Sequence, residues 1–253
     1  MELNKYKGLS LKKADAAADI GLINRYSVSE LAPEDVYCFS VILCDNDVDR
    51  DYERFTSATL DALAPLFVGK TGIMDHRWSA ENQIARIYHT ETEVVKGKRN
   101  SLGEQLRVLR GRAYMLKNES NQPTIDAIEG GILKEISIGC AIGTATCSIC
   151  GDEYGHCGHH KGEMYGTKLC ICELSNPIDA YEFSFVAVPA QPGAGVTKSV
   201  KHLDDAFELL MTADLGGKTD KVKQLLPVLQ TALADHEETA ERAEIRKHAE
   251  KYL

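Results

Sequence analysis

Val36-Tyr37-Cys38-Phe39-Ser40-Val41-Ile42-Leu43-Cys44 is dense in β-branched and aromatic residues, with no glycine or proline to interrupt it. A run of this kind reads as a buried strand. Asp45-Asn46-Asp47 then supplies the turn-formers that end it. Downstream, Leu60, Leu63, Leu66 and Phe67 fall at helical spacing within Thr56 to Phe67. Gly72-Ile73-Met74-Asp75-His76 is a short apolar run ending in a polar pair. Ile84 to Thr92 and Gln105 to Met115 read as further strands; in the second, Leu106 and Val108 alternate with Arg107 and Arg110. Thr124 to Glu129 reads as a short helix capped by Thr124 and stopped by Gly130-Gly131. Ile132 to Ile142 and Tyr181 to Val188 complete the strand set, the first interrupted by Gly139 and the second ended by Pro189.

The flanks differ from this centre. Residues 1–30 are polar with short apolar patches and read as a weakly ordered arm. From about Val200 the pattern turns helical and charged, with a Gly216-Gly217 break and Pro227 in a second helical stretch. The expected fold is α+β: a small closed or nearly closed β-barrel flanked by helices over residues 31–200, and a helical extension over 201–253.

The 253 residues are enough for a sizeable core, and 43% hydrophobic with 26% charged content is ordinary for a globular chain. A net charge of −9 argues against general nucleic-acid binding, which needs a basic face. No run of about 18 apolar residues occurs, so no membrane span is expected, and Met1 to Lys13 has no apolar core of a secretory signal. A reducing cytosol is the expected compartment, where cysteines serve better as metal ligands than as disulfides.

Six of the eight cysteines lie between Cys140 and Cys172. Residues 146–174 form an insert rich in Gly, Cys and His and poor in large aliphatics. Within it Cys147-Ser148-Ile149-Cys150 is followed by Cys157-Gly158-His159-His160, a CxxC and then a CxxH. Two intervening residues let a tight knuckle aim both side chains at one ion, and two knuckles complete a tetrahedron. Gly151 gives the first knuckle its backbone freedom. The expected site is structural zinc on Cys147, Cys150, Cys157 and His160. His159, Cys170 and Cys172 compete for the fourth position. A closed site of this kind supplies folding free energy to a loop with little core of its own.

Ser137, His76 and Glu182 are polar residues in strand-like or apolar settings. Singly, each is explained as a tolerated serine, a structural histidine or a solvated carboxylate. Together, His76 in its setting, Glu135-Ile136-Ser137-Ile138-Gly139, and Glu182-Phe183-Ser184-Phe185-Val186-Ala187-Val188-Pro189-Ala190-Gln191-Pro192-Gly193-Ala194 resemble the prohead maturation proteases of tailed bacteriophages. Those enzymes are similar in fold to the herpesvirus assemblin proteases. The resemblance covers about residues 35 to 200 and keeps the family's segment order. A metal insert resembles one carried by a subset of such phage proteins. Asp49-Arg50-Asp51-Tyr52-Glu53-Arg54-Phe55 also has a familial look without an assigned chemistry.

The resemblance implies a serine endopeptidase. Ser137 would be the nucleophile, His76 its general base, and Glu182 the group that orients the imidazole, with Asp179 as competitor. It further implies capsid and scaffold proteins as substrates, self-cleavage, and a place in the host cytoplasm inside the assembling procapsid, or a prophage origin. No nucleic-acid or membrane partner is expected, and homo-oligomerisation is open. Two rivals stand beside it: a non-catalytic zinc-bearing assembly module on a protease fold, and a zinc-ribbon adaptor in which Ser137 is incidental.

Overall fold

The computed structural model describes residues 14–197. The helical extension expected over 201–253, and the first part of the expected N-terminal arm, lie outside the described residues. In chain order the elements are α1 (Ala16–Ile23), β1 (Val36–Asp45), β2 (Glu53–Phe55), α2 (Ser57–Phe67), β3 (Thr71–Met74), β4 (Ala85–Arg99), β5 (Gln105–Leu116) and α3 (Gln122–Glu129). They are followed by β6 (Ile136–Cys147), β7 (Met164–Tyr165), β8 (Lys168–Leu169), β9 (Cys172–Phe185) and β10 (Gly195–Val196). The fold is α+β and mostly sheet, with three α-helices among the described residues.

The main sheet runs β10-β1-β5-β4-β3-β9-β2, with β6 also paired to β9. Phe39 of β1 packs its ring against Phe183 and Phe185 of β9, at 6.4 and 6.1 Å between centroids. β1 and β9 are separated by three strands in the sheet, so these contacts require the sheet to curl around one core. Leu60, Leu63 and Phe67 of α2 and Ile125 and Ile128 of α3 fill that core from outside the sheet. The curl does not make a closed barrel. β10 is laddered onto β1 at Val41 and Ile42, yet it meets the β6 side only by the single bridge Glu135–Gly195 and flanking backbone bonds. The expected barrel is corrected to an open, curled sheet.

Local chemistry explains the elements and the departures from expectation. The Thr56 side chain caps α2 by accepting from the Thr59 amide. α3 starts earlier than expected: Asn121 is its N-cap residue and Pro123 occupies the first turn, so Thr124 lies inside the helix. β6 and β9 form one long hairpin paired from Ile136–Phe185 to Cys147–Cys172, with register shifts after Gly139 and after Ala141. Both strands therefore extend into the stretch expected to be insert, and the loop they carry is residues 148–171. Residues 16–23, expected to be part of the N-terminal arm, are not an arm. They form α1, with Ile23 buried against Val36, Tyr88 and Tyr114. The buried Asp19 carboxylate accepts from Tyr88 Oη at 2.7 Å and from Arg112 at 2.6 Å, which ties α1 to β4 and β5.

Candidate functional site

β9 carries one tripeptide that organises the site, Glu182-Phe183-Ser184. Phe183 points into the core, so Glu182 and Ser184, two apart, share the opposite face. On one side β3 runs parallel, pairing Thr71 with Glu182 and Ile73 with Ser184. On the other side β6 runs antiparallel, pairing Ser137 with Ser184 and Gly139 with Glu182. Cross-strand partners point to the same face, so Ser137 and the Glu182 carboxylate are brought to one patch.

His76 reaches that patch from the turn after β3. Asp75 and His76 both have φ of 53°, a left-handed conformation that histidine and aspartate adopt at a cost of roughly 1–2 kcal/mol each. The turn is fixed by the Asp75 amide donating to the Phe185 carbonyl at 3.0 Å. Asn82 Nδ2 donates to the Met74 and Arg77 carbonyls. The turn sets His76 Nδ1 2.8 Å from Glu182 Oε1. The imidazole is 43% exposed and the carboxylate 3% exposed, so a buried charge holds a ring that faces outward. With Nδ1–H donated to the carboxylate, Nε2 carries the free lone pair.

The residues expected at a catalytic site are therefore brought onto one face, and two alternatives are separated. Asp179 is paired with Lys70 at 3.0 Å, and the hydrogen bond from that ammonium holds its carboxyl below the ordinary range. Glu182, not Asp179, holds His76. Cys140 lies past a register shift in β6 and packs on the core face, away from Ser137. Burial first, then the Glu182 charge, pushes its thiol up to about 11. Ser137 itself is half-buried, and no hydrogen bond joins its Oγ to His76. Gly139 is a part that spacing alone did not reveal. A β carbon there would stand 2.5 Å from Glu182 Oε1, so the missing side chain makes room for the carboxylate.

The second cluster lies at the far tip of the hairpin. Cys147, Cys150, Cys157 and His159 place one donor atom each within 4.8 Å of one another. His160 is corrected out of the set. It is exposed, and its backbone amide donates to Tyr165 Oη at 3.0 Å. His159 turns inward instead, its ring edge-on to Tyr165 at 4.6 Å between centroids. Gly151 follows the first knuckle with φ of 80°, as its position after the CxxC requires.

The donors fit a metal ion on three counts. Nδ1 of His159 is buried without a hydrogen-bond partner, which a cation would supply. Burial opposes ionisation of Cys147, yet the amides of Cys150 and Ile149 and the thiols of Cys150 and Cys157 bring it down to about 6. Three thiols and one imidazole match the donor preference of a closed tetrahedral site. Cys170 Sγ stands 3.9 Å from Cys147 Sγ, at the edge of the cluster.

The Asp49–Phe55 segment anchors this loop. Lys161 pairs with Glu53 at 2.6 Å, the Tyr52 carbonyl accepts from the Cys172 amide, and the Tyr52 ring packs against Gly162. The buried Arg54 bridges Glu104 and Glu173 at 2.7 and 2.6 Å. Between Ser137 and Cys147 the chain is strand, which spans roughly 30 Å at about 3.3 Å per residue. The two clusters share a hairpin and sit at its opposite ends. No helix among the described residues is long and apolar enough to cross a membrane. Comparison with models of known protein families, with characterised proteins and with solved structures finds no match to the chain.

Proposed function

We propose that the chain is a serine endopeptidase in which Ser137 is the nucleophile, His76 the general base and Glu182 the orienting carboxylate. The observation that carries this reading is the 2.8 Å contact of a buried carboxylate with Nδ1 of an outward-facing imidazole, on the face that also bears Ser137. A carboxylate on Nδ1 selects the tautomer with a basic Nε2 and stabilises the imidazolium that forms. His76 Nε2 takes the Ser137 hydroxyl proton as Oγ attacks the scissile carbonyl, and returns it to the leaving amine. Water then hydrolyses the acyl-enzyme by the same relay.

The order of the three segments supports a role in procapsid maturation, with capsid and scaffold proteins, and the chain itself, as substrates in the host cytoplasm. The Cys147, Cys150, Cys157 and His159 cluster is assigned to one structural Zn²⁺. That ion would fix the loop at the hairpin tip, with every coordination position taken by protein. The roughly 30 Å of strand between the clusters supports a docking or stabilising role for the loop over one in the chemistry.

The test uses the full chain and a fluorophosphonate probe, which labels only activated serines. The wild type should be labelled at Ser137 and should release self-cleavage products, and Ser137→Ala should do neither. Equal behaviour of the two proteins would favour the non-catalytic assembly module, a reading favoured also by the missing Ser137–His76 bond. Metal analysis should return about one zinc per chain, lost in Cys150→Ser.

A further inference from the structure

Ser184 is fully buried, two residues beyond Glu182, and its hydroxyl has two partners. It donates to Glu182 Oε2 at 2.6 Å and accepts from the His76 backbone amide at 3.1 Å. The two oxygens of one carboxylate are thus divided, Oε1 to the imidazole and Oε2 to Ser184. We infer that Ser184 is the positioning residue of the catalytic pair, clamping the orienting carboxylate and the backbone of the base with a single hydroxyl.

The inference rests on the protease reading and adds a part to it. A buried carboxylate with one free oxygen can rotate about its terminal torsion, and a short hydrogen bond to Oε2 removes that freedom. The acceptance from His76 N–H supports the left-handed turn that delivers the ring, a conformation the chain holds only where its surroundings enforce it. Ser184 is not itself a nucleophile. It has no exposure to substrate, and its proton is already given to Glu182. The hydroxyl therefore acts through Glu182 and His76, and its loss should loosen both the ring's tautomer and its placement.

The experiment combines two readouts on the full chain. Nitrogen-15 spectra of labelled histidine, recorded above the ordinary histidine titration range, report whether His76 is held as a single Nδ1–H tautomer. The rate of fluorophosphonate labelling of Ser137, taken across pH, reports function. Ser184→Ala should convert the single tautomer to a mixture and slow labelling roughly ten- to a hundredfold, the size expected for one lost hydrogen bond to a charged group. Ser184→Thr, which keeps the hydroxyl, should restore both. A folded Ser184→Ala with one tautomer and a labelling rate within about twofold of wild type would overturn the inference. If Ser184→Ala does not fold, Ser184→Cys, similar in volume and a weak donor, is judged by the same criteria. A wild type that never labels would defeat the protease reading, and the tautomer spectra would still decide the role of Ser184.

Discussion

Gly139 and Glu182 face each other across the β6–β9 ladder so closely that any side chain on the first displaces the second. The β carbon of an alanine would lie 2.5 Å from Oε1, the oxygen that holds His76 Nδ1. The obstruction is the end of a flexible side chain, so the backbone has no need to move. Gly139→Ala should therefore fold, with a thermal midpoint within a few degrees of wild type, while the carboxylate is pushed off the imidazole. Fluorophosphonate labelling of Ser137 should fall at least about tenfold. Adding Glu182→Asp, which draws the carboxylate back by one methylene, should recover part of that loss. A strictly additive double mutant would show that the two positions do not compete for space.

Strands were legible in the sequence where the pattern is local. Val36 to Cys44 announces β1 by its branched and aromatic run, and Gln105 to Met115 announces β5 by alternation. The hairpin of β6 and β9 was only half legible. Thr144 to Cys147 and Cys172 to Ala180 lack a clean strand alternation, and they become strand because each pairs with the other along the ladder. α1 lies in a stretch that reads as part of an arm, and its Asp19 is buried because Tyr88 and Arg112 come to it from distant strands. At the candidate site, segment order points to Ser137, His76 and Glu182. It does not point to the roles of Gly139 and Ser184, which depend on which residues the sheet sets opposite each other. Knuckle spacing favours His160 over His159, because it does not encode the inward turn of the ring.

The nearest rival nucleophile, Cys140, is three residues from Ser137 on the core face. Its thiol stands at about 11, raised first by burial and then by Glu182. At pH 8 only about one thiol in a thousand is ionised, and the thiolate is the reactive form. Iodoacetamide at pH 8 should leave Cys140 unmodified in peptide maps of the folded chain, and fluorophosphonate labelling of Ser137 should proceed undiminished after that treatment. Rapid alkylation of Cys140, with loss of labelling in step, would point to a thiol at the reacting centre.

Acid should weaken the fold through the Arg54 cluster. Arg54 is buried between Glu104 and Glu173, and its hydrogen bonds hold the Glu104 carboxyl below the ordinary range. A carboxylate with a depressed folded value stabilises the fold above its unfolded value. That stabilisation is lost as pH falls through the folded one. Glu104 is half exposed, so its share is under about 1 kcal/mol. Urea midpoints should decline from pH 6 to pH 3 in the wild type and decline less in Glu104→Gln. The two proteins should differ most at neutral pH and converge in acid. A constant gap at every pH would assign the loss to packing instead.

The loop at the hairpin tip allows the fourth ligand to be decided by substitution. His159 offers a buried, unpartnered Nδ1 to the three thiols, whereas His160 is exposed. His159→Ala should weaken zinc binding at least about a hundredfold, since altering groups that merely support a ligand already costs tenfold to a hundredfold. His160→Ala should leave the affinity within about threefold. Cobalt(II) substituted for zinc gives a spectrum that reads the donor set directly. It should change character in His159→Ala and be unaltered in His160→Ala. Cys170→Ser tests the other neighbour, whose sulfur lies 3.9 Å from Cys147. Retained affinity there assigns the imidazole as ligand, and loss there with His159→Ala unaffected assigns a four-thiolate site. Because the loop has little core of its own, loss of the metal should also open it. Proteolysis between Ser148 and Ile171 should accelerate on chelation, while the strands from β1 to β5 stay protected.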